Sequence, residues 1–187
     1  PPAQRWAGRD DAVRLLVIGG SQGAQALNQQ LPAALARLPL QRRPQIIHQA
    51  GRGKLAALQQ AYAEAGVDAV AQEFIDDMAA AYAWADLVVC RAGALTVSEL
   101  AVAGLGAVLV PYPHAMDDHQ TRNARYLAAA GAAEVLAQAA LDPAQGAAVL
   151  ETLLDRARLL RMAEAAQRLA LPDATRQVAD ICVEVAA

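Results

Sequence analysis

The chain has 187 residues, of which 56% are hydrophobic and only 4% aromatic, with 16 basic and 19 acidic side chains and a formal net charge of -3. This length suffices for one domain with a substantial core, which must be built from Ala, Val and Leu. No basic stripe with interleaved aromatic residues is present, which argues against a nucleic-acid partner. No apolar run reaches the ~18 residues of a membrane span, and no secretory signal peptide is evident.

The first residues differ from the rest of the chain. Residues 1–11 are polar and begin with Pro1-Pro2 rather than Met, so we expect them to form a linker or an arm. A partner half is therefore expected to be missing, and residues 12–187 are predicted to form one domain. The two cysteines, Cys90 and Cys182, fall in apolar patterns, which is typical of reduced core residues in a cytosolic protein.

From residue 12 onward, short apolar stretches alternate with Ala-rich stretches of helical periodicity. Strands are predicted at 12–18, 45–49, 68–74, 87–90, 107–110 and, at an edge, 133–136. Helices are predicted at 24–38 (with Pro32 expected to kink or divide it), 54–65, 94–103 and 117–130, and after 141 with an interruption at Pro172. The alternation predicts an α/β fold, a doubly wound parallel sheet with helices on both faces.

The loops most suggestive of function all follow predicted strands. They come after Ile18, Gln49, Phe74, Cys90 and Val110. Ligands of parallel sheets bind beyond the carboxyl ends of the strands. We therefore expect these five loops to meet at one edge of the sheet and to form the site there.

The stretch from Leu87 to Leu100 reads as a buried strand, a tight glycine turn and the start of a helix. Such a helix presents unpaired N–H groups and a partial positive charge at its start, which suits a phosphate or pyrophosphate. Gly93 would let a ligand approach the backbone, Thr96 could add a hydroxyl, and Glu99 could accept hydrogen bonds from a sugar diol. The alternative is an ordinary β-turn-α connection with a solvated Glu99.

A second glycine turn, Gly19-Gly20-Ser21-Gln22-Gly23, follows the first strand. It lacks the G-x-G-x-x-G spacing, and the second strand ends in His48-Gln49 rather than in an acid, which argues against NAD or FAD. The chain also lacks a phosphate-binding P-loop, because Gly53-Lys54 is followed by Leu55 where that motif has Ser or Thr. A tight turn remains, in which Ser21 could donate to a phosphate. A purely structural turn stays possible.

Two further polar segments are candidates. Asp76 and Asp77 are expected to cap a helix that runs to residue 85. The exposed backbone at Ile75 could instead read the edge of a planar base, with Met78 packed on its face. Metal binding by the aspartate pair is a weaker idea, because no third ligand has suitable spacing.

A polar segment precedes the helix predicted at 117–130, for which Asp117 or Asp118 is the expected cap. In this segment His119, Gln120 and Asn123 share one helical face and could bind sugar hydroxyls. A cap or surface role is the alternative, and His48 is interpreted as structural or as a supporting residue behind the site.

Several motifs occur together in an order that is specific. They are Gly19-Gly20-Ser21-Gln22-Gly23-Ala24, His48-Gln49-Ala50-Gly51, Glu73-Phe74-Ile75-Asp76-Asp77-Met78, the run from Cys90 to Glu99, and Pro172-Asp173-Ala174-Thr175. Together they resemble the C-terminal half of the MurG family, bacterial N-acetylglucosaminyltransferases that convert lipid I to lipid II in peptidoglycan synthesis. The likeness covers essentially the whole chain.

This resemblance implies a GT-B architecture, in which two Rossmann-like domains enclose a cleft. The C-terminal domain would bind UDP-GlcNAc. The missing N-terminal domain would bind the lipid I acceptor and contact the cytoplasmic face of the inner membrane, and the last helices of this chain would pack toward it. The family also uses an arginine near the uracil, just upstream of residue 1.

The resemblance also assigns roles to individual residues. Ile75 would bind uracil through its backbone, Met78 would line the nucleotide pocket and Glu99 would hold the ribose hydroxyls. The pyrophosphate and sugar would lie at Ser21 and at the helix start formed by Ala94, Leu95 and Thr96. His119, which stands where some members carry Gln, and Gln120 would contact GlcNAc hydroxyls or the ribose, with Asn123 in support. The supporting turns would be Gly19, Gly20, Gly23 and Gly93.

Members of the family transfer GlcNAc with inversion and are implied to need no metal ion or other cofactor. The general base would come from the missing half, so we expect this chain alone to bind donor weakly and not to catalyse transfer. Two alternatives stay open: another GT-B enzyme such as a UDP-GlcNAc 2-epimerase, and a non-catalytic nucleotide-binding module.

Overall fold

The computed structural model describes residues 1–9, 11–20, 24–113, 115 and 118–186. Within them, six strands form one sheet: β1 (Arg14–Ile18), β2 (Gln45–Gln49), β3 (Val70–Gln72), β4 (Leu87–Cys90), β5 (Gly106–Leu109) and β6 (Ala133–Val135). The α-helices are α1 (Pro2–Trp6), α2 (Gln25–Ala36), α3 (Leu55–Ala65), α4 (Met78–Trp84), α5 (Ala94–Ala103), α6 (His119–Ala129), α7 (Pro143–Leu153), α8 (Arg156–Arg168) and α9 (Ala174–Ala186).

The sheet is fully parallel, with the spatial order β3-β2-β1-β4-β5-β6. From β1 the chain adds β2 and β3 on one side, and it then returns to add β4, β5 and β6 on the other. The direction of winding therefore reverses between β1 and β4. In an open parallel sheet this reversal leaves a crevice beyond the strand ends, where ligands bind. The predicted doubly wound α/β fold is confirmed.

Two apolar layers cover the sheet. Alternate residues of β1 point to opposite faces: Leu15 and Val17 pack in one hydrophobic cluster, and Leu16 and Ile18 pack in the other. Because both faces are covered, β4 is apolar at every position and β1 is apolar from Leu15 onward, with no alternation. The continuous run from Leu87 to Cys90 is completely buried for this reason.

Most predicted elements lie within two residues of the observed ones. Strand β3 is shorter than predicted, because only Val70, Ala71 and Gln72 pair with β2 at this edge. Helix α2 continues through Pro32 without division, and the proline is buried. Asp77 caps α4 by accepting from the N–H of Ala80, as predicted.

The cap of α6 differs from the prediction. Asp118 occupies the N-cap position in a left-handed conformation, with φ of 52°, and its side chain makes no capping hydrogen bond. A carboxylate reaches the first-turn amides from extended backbone, which this conformation does not provide. Asp117, the other predicted cap, lies outside the described residues.

The two ends of the chain behave differently. Within the segment expected to be a linker or an arm, α1 anchors to the domain, because the Arg5 guanidinium donates to the carbonyls of Ala103 and Gly104 at 2.6 and 2.7 Å. Helix α9 instead leaves apolar side chains such as Ile181 exposed. Cys182 is exposed with them, so the prediction of a core residue is wrong there, although it is confirmed for Cys90.

None of the helices in the described part of the chain combines the length and the hydrophobicity of a membrane span.

Asp86, at the start of β4, is a buried carboxylate that joins four segments. It accepts from Arg9 Nη1 at 2.8 Å and from the backbone N–H of Arg14 at 3.0 Å, and Arg156 lies 3.5 Å away. These contacts tie the N-terminal segment and the start of α8 to the amino ends of β1 and β4. The site beyond the carboxyl ends of the strands is not involved.

Replacement of Asp86 should therefore destabilise the domain. We expect Asp86→Ala to lower the free energy of unfolding in urea by about 3 kcal/mol, because it leaves Arg9 and a backbone amide without their buried acceptor. Asp173→Ala is the matched control: its carboxylate is exposed and lies 3.8 Å from Arg176, so the loss should stay within about 1 kcal/mol. Equal losses in the two variants would contradict this account.

A buried polar chain lies behind β2. Asn28 donates from Nδ2 to the carbonyl of Ala50 at 2.9 Å, which leaves Oδ1 to accept from His48 Nε2 at 3.1 Å. The other ring nitrogen, His48 Nδ1, then accepts from the Tyr62 hydroxyl at a distance of 2.9 Å. The imidazole is thus neutral with its proton on Nε2, and burial lowers its pKa to about 3. The structural interpretation of His48 is confirmed.

This network predicts a loss of stability on mild acidification. In the unfolded chain His48 binds a proton near pH 6.5, whereas in the folded chain it does so only near pH 3. Between these values the unfolded state binds more protons, so stability falls as the pH falls. From pH 7 to pH 5.5 the native chain should lose about 1 kcal/mol more than His48→Gln, measured by urea unfolding. Parallel pH profiles for the two chains would exclude this role.

Candidate functional site

A crevice of about 940 Å³ lies beyond the carboxyl ends of β1 and β4, where the winding reverses. Strands β1 to β5 each place at least one residue in its lining, either the last residue of the strand or one in the loop that follows. In strand order these residues are Gly20, Gln49, Phe74, Arg91 and Tyr112. The five loops predicted to meet at one edge therefore do so. The crevice is the candidate site.

Helix α5 starts in this crevice without a side-chain cap. Its N-cap residue is Gly93, and no described residue accepts a hydrogen bond from the backbone N–H of Ala94, Leu95 or Thr96. Unpaired first-turn amides and the helix dipole together favour an anion at this position. The free helix start predicted at Ala94 is thus present.

A second helix start faces the same crevice. Helix α2 has Ala24 as its N-cap, and no described side chain caps its first turn. Gln25 and Ala26 of that turn line the crevice. By contrast, the N-caps of α7 and α8 are Asp142 and Asp155, whose carboxylates accept from first-turn amides. The positive ends of α2 and α5 therefore act on one space, which raises its preference for a multiply charged anion.

The turn before α5 is fixed by two side chains of α6. Gln120 Oε1 accepts from the N–H of Ala92 at 3.3 Å and from the N–H of Tyr112 at 2.9 Å. Asn123 Nδ2 donates to the carbonyl of Ala92 at 3.0 Å. Both backbone groups of Ala92 are thus paired, and Gln120 keeps its Nε2 donor for another partner. The polar face predicted on this helix exists, and part of it supports the turn.

The glycines at the crevice serve two purposes. Gly20 has φ of +76°, a left-handed conformation that favours glycine. Gly93 has φ of −64°, which any residue adopts, and a Cβ added there would have its nearest contact with Thr96 Oγ1 at 3.7 Å. The fold itself does not require glycine at 93, but a side chain would occupy the crevice that this residue lines.

One wall of the crevice is apolar and carries an unpaired peptide group. Ile75 and Met78 line the wall and pack on the hydrophobic cluster beneath it. No described residue hydrogen-bonds to the backbone N–H or C=O of Ile75. A donor and an acceptor beside an apolar surface suit the edge and the face of a planar heterocycle.

Glu99, the one acid among the described residues that line the crevice, lies in the second turn of α5. Its Oε2 accepts from the Tyr82 hydroxyl at 2.8 Å, while no described residue donates to Oε1. The carboxylate is exposed and can accept hydrogen bonds from ligand hydroxyls.

Two cations also line the crevice, Lys54 and Arg91. Arg91 donates to the carbonyls of Val110 and Pro111 and to Gln138 Oε1, at 3.0, 3.3 and 2.6 Å. All these acceptors are neutral, and none of the described carboxylates pairs with it. Partial burial lowers the pKa of Arg91, yet an arginine stays charged in proteins, so it adds positive potential to the crevice.

The structure brings most of the predicted site residues together. Eight line the crevice: Gly19, Gly20, Ile75, Met78, Gly93, Thr96, Glu99 and Gln120. Four lie outside its lining, namely Ala94, Leu95, His119 and Asn123. Ser21 and Gly23 fall outside the described residues. Ala94 and Leu95 can still take part through their backbone amides, and the sugar contacts of His119 and Asn123 stay predictions.

Several residues that line the crevice do not stand out as site residues in the sequence. Tyr82 lies one helical turn after Met78, a spacing that could have placed both on the crevice side of α4. Arg91 directly follows the strand that carries the main motif. Gln49, whose Nε2 donates to the carbonyl of Gly20 at 3.1 Å, was considered only as a missing acid. Its contact with Gly20 depends on β1 and β2 being neighbours in the sheet, which the sequence alone does not show.

A second, smaller groove of about 540 Å³ lies on the other side of Tyr82 and Glu99, which line both spaces. It runs between α4 and α5, and its lining includes Leu95, which is 80% exposed, and Val102, which is 53% exposed.

Among the described residues, no three or more His, Cys, Asp or Glu side chains cluster so that they could hold a metal ion.

A family model, the glycosyltransferase family 28 C-terminal domain, matches residues 14–178. The chain is 58% identical, over 186 residues, to the UDP-N-acetylglucosamine--N-acetylmuramyl-(pentapeptide) pyrophosphoryl-undecaprenol N-acetylglucosamine transferase of Marinobacter nauticus, an alignment that covers 99% of this chain and 51% of that protein. The chain therefore spans about half the length of this relative.

Solved structures agree in fold. The crystal structure of Acinetobacter baumannii MurG superimposes with a TM-score of 0.88 at 45% identity, over 93% of this chain and 52% of that one. The UDP-GlcNAc 2-epimerase of Neisseria meningitidis, solved with UDP-GlcNAc, gives a TM-score of 0.61 at 10% identity, over 98% of this chain and 47% of that one. The second likeness shows the fold alone, whereas the first extends to the sequence.

The two thiols should differ sharply in reactivity. Cys90 is 1% exposed at the floor of the crevice, and burial together with the charge of Glu99 raises its pKa to about 12. Because the thiolate is the reactive form, we expect Ellman's reagent to titrate one thiol rapidly in the folded chain and two after unfolding. Cys182→Ser should remove the rapid phase. Two rapid equivalents in the folded chain would contradict the burial of Cys90.

Proposed function

Because the chain belongs to the glycosyltransferase family 28 C-terminal domain family, we propose that it is the donor-binding half of an inverting glycosyltransferase. The whole enzyme would transfer GlcNAc from UDP-GlcNAc to lipid I and so form lipid II in peptidoglycan synthesis. The observation that carries this proposal is that two helix starts, those of α2 and α5, face one crevice and have no side-chain cap among the described residues.

The diphosphate would lie at these helix starts. The amides of Ala94, Leu95 and Thr96 supply donors, and the nearby guanidinium of Arg91 supplies charge. When the sugar leaves, negative charge grows on the diphosphate, and fixed donors stabilise this charge without reorganising. The proposal therefore requires no metal ion, and it assigns to the crevice the stabilisation of the leaving group.

The nucleoside would occupy the apolar wall. Uracil has one N–H flanked by two carbonyls, which is complementary to the unpaired C=O and N–H of Ile75. Met78 would pack on the ring. The ribose would then lie toward Glu99, whose Oε1 is available for a hydroxyl.

The GlcNAc moiety would lie toward α6 and the loop after β5. The Nε2 of Gln120 remains available there, and Gln138 also lines the crevice. Amide groups that donate and accept at fixed positions suit sugar hydroxyls. His119 would contact the sugar at the edge of this region. Asn123 would support the site through its hydrogen bond to the carbonyl of Ala92.

The remaining functions belong to the half of the enzyme that this chain does not include. That half would supply the general base that takes the acceptor's proton, the lipid I site, and the contact with the cytoplasmic face of the inner membrane. A second candidate is a UDP-GlcNAc 2-epimerase, supported by the shared fold. The 58% identity to a transferase favours the first candidate.

Calorimetric titration of this chain tests the proposal. We expect UDP-GlcNAc to bind and NAD not to bind, with UDP-GalNAc as the test of sugar selectivity. Glu99→Ala should weaken UDP-GlcNAc binding by about 1–3 kcal/mol, the cost of a lost charge-assisted hydrogen bond. Glu164→Ala, which removes an exposed carboxylate of α8, is the matched control and should leave the affinity unchanged.

Three results would count against the proposal. They are preferential binding of NAD, an affinity for UDP-GlcNAc that Glu99→Ala does not alter, and synthesis of lipid II by this chain alone. The last would show that the general base lies within these residues, which contradicts the assignment of that group to the other half.

A further inference from the structure

The hydrogen bond between Tyr82 and Glu99 connects α4 with α5 at the edge of the crevice. The Tyr82 side chain is 7% exposed, and its hydroxyl lies 2.8 Å from Glu99 Oε2. Glu99 itself is exposed. A buried donor thus holds an exposed acceptor.

The direction of this hydrogen bond is fixed. An ionised carboxylate only accepts, so the phenol must donate. Burial, the hydrogen bond and the charge of Glu99 all raise the pKa of Tyr82. The phenol therefore keeps its proton throughout the physiological range and remains a hydrogen-bond donor.

The bond has two consequences for Glu99. An exposed glutamate ordinarily samples several rotamers, and fixing one of them costs conformational entropy when a ligand binds. Tyr82 restricts this sampling before any ligand arrives. It also occupies Oε2, so that Oε1 is the oxygen left for a ligand.

We propose that Tyr82 is a positioning residue that presents Oε1 of Glu99 to a ribose hydroxyl and thereby makes the crevice selective for ribonucleoside diphosphates over their deoxy counterparts. This inference rests on the proposed function, because it takes the ligand to be a nucleoside diphosphate. Tyr82 does not touch the ligand's hydroxyls in this account and acts only through Glu99.

A purely structural role for Tyr82 predicts something different. Its ring packs among the buried residues of one hydrophobic cluster and lines the second groove. If packing were its whole contribution, loss of the hydroxyl would leave binding unchanged or weaken all ligands alike. If the hydroxyl positions Glu99, only ligands with a ribose diol should respond.

The test compares uridine diphosphate with 2′,3′-dideoxyuridine diphosphate, by calorimetry on this chain. The native chain should bind the diol ligand more tightly, and Glu99→Gln should reduce that ratio toward one. Tyr82→Phe removes only the hydroxyl and keeps the ring, so folding should be retained. It should lower the ratio about three- to tenfold, while the affinity for the dideoxy ligand stays within about twofold.

Two further variants sharpen the comparison. Tyr126→Phe removes the hydroxyl of an exposed tyrosine on α6 and should leave both affinities unchanged. The double variant Tyr82→Phe/Glu99→Gln should be no weaker for uridine diphosphate than Glu99→Gln alone, because the effect of Tyr82 passes through the carboxylate. Additive losses would overturn the inference.

The outcomes separate this inference from the proposed function. Uridine diphosphate binding that depends on Glu99, with an unchanged diol ratio in Tyr82→Phe, overturns the inference and leaves the function standing. Equal weakening of both ligands by Tyr82→Phe also overturns it. A native chain that binds neither ligand overturns the proposed function, and this inference with it.

Discussion

The structure depends on how Ala92 is held between β4 and α5. Its N–H and C=O are both paired by side chains of α6, Gln120 and Asn123. Because both groups of Ala92 already have partners, the turn keeps its conformation. The amides of the first turn of α5 can then remain unpaired. The anion site is thus preorganised. Polar side chains hydrogen-bond to the turn, whereas no described side chain caps the start of α5.

The strands and helices could be predicted from the sequence because the patterns that indicate them are local. The apolar run of β4 and the Ala-rich periodicity of α5 are each visible within about ten residues, and both boundaries are correct. The crevice was also predictable, since parallel strands bring the loops that follow them to one edge. Strand β3 was overextended because its length depends on pairing with β2, which is not a local property.

The roles of side chains were harder to predict because they depend on neighbours distant in the chain. The polarity and spacing of Gln120 and Asn123 predict sugar contacts, yet both also bind the backbone of Ala92, about thirty residues earlier in the chain. Tyr82 went unnoticed because an aromatic residue on a helix most simply indicates core. Its hydroxyl acquires a function only when α5 brings Glu99 to 2.8 Å.

Stability and binding are assigned to opposite ends of the same strands. At the amino ends, the buried carboxylate of Asp86 pairs with the guanidinium groups of Arg9 and Arg156 and accepts from the backbone N–H of Arg14. At the carboxyl ends, the first-turn amides of α5 and Oε1 of Glu99 are left without protein partners among the described residues. Unsatisfied polar groups carry a cost that only a ligand or water removes. Because the stabilising contacts of Asp86 lie at the opposite end of the sheet, the domain can keep unpaired polar groups at the end where the ligand binds.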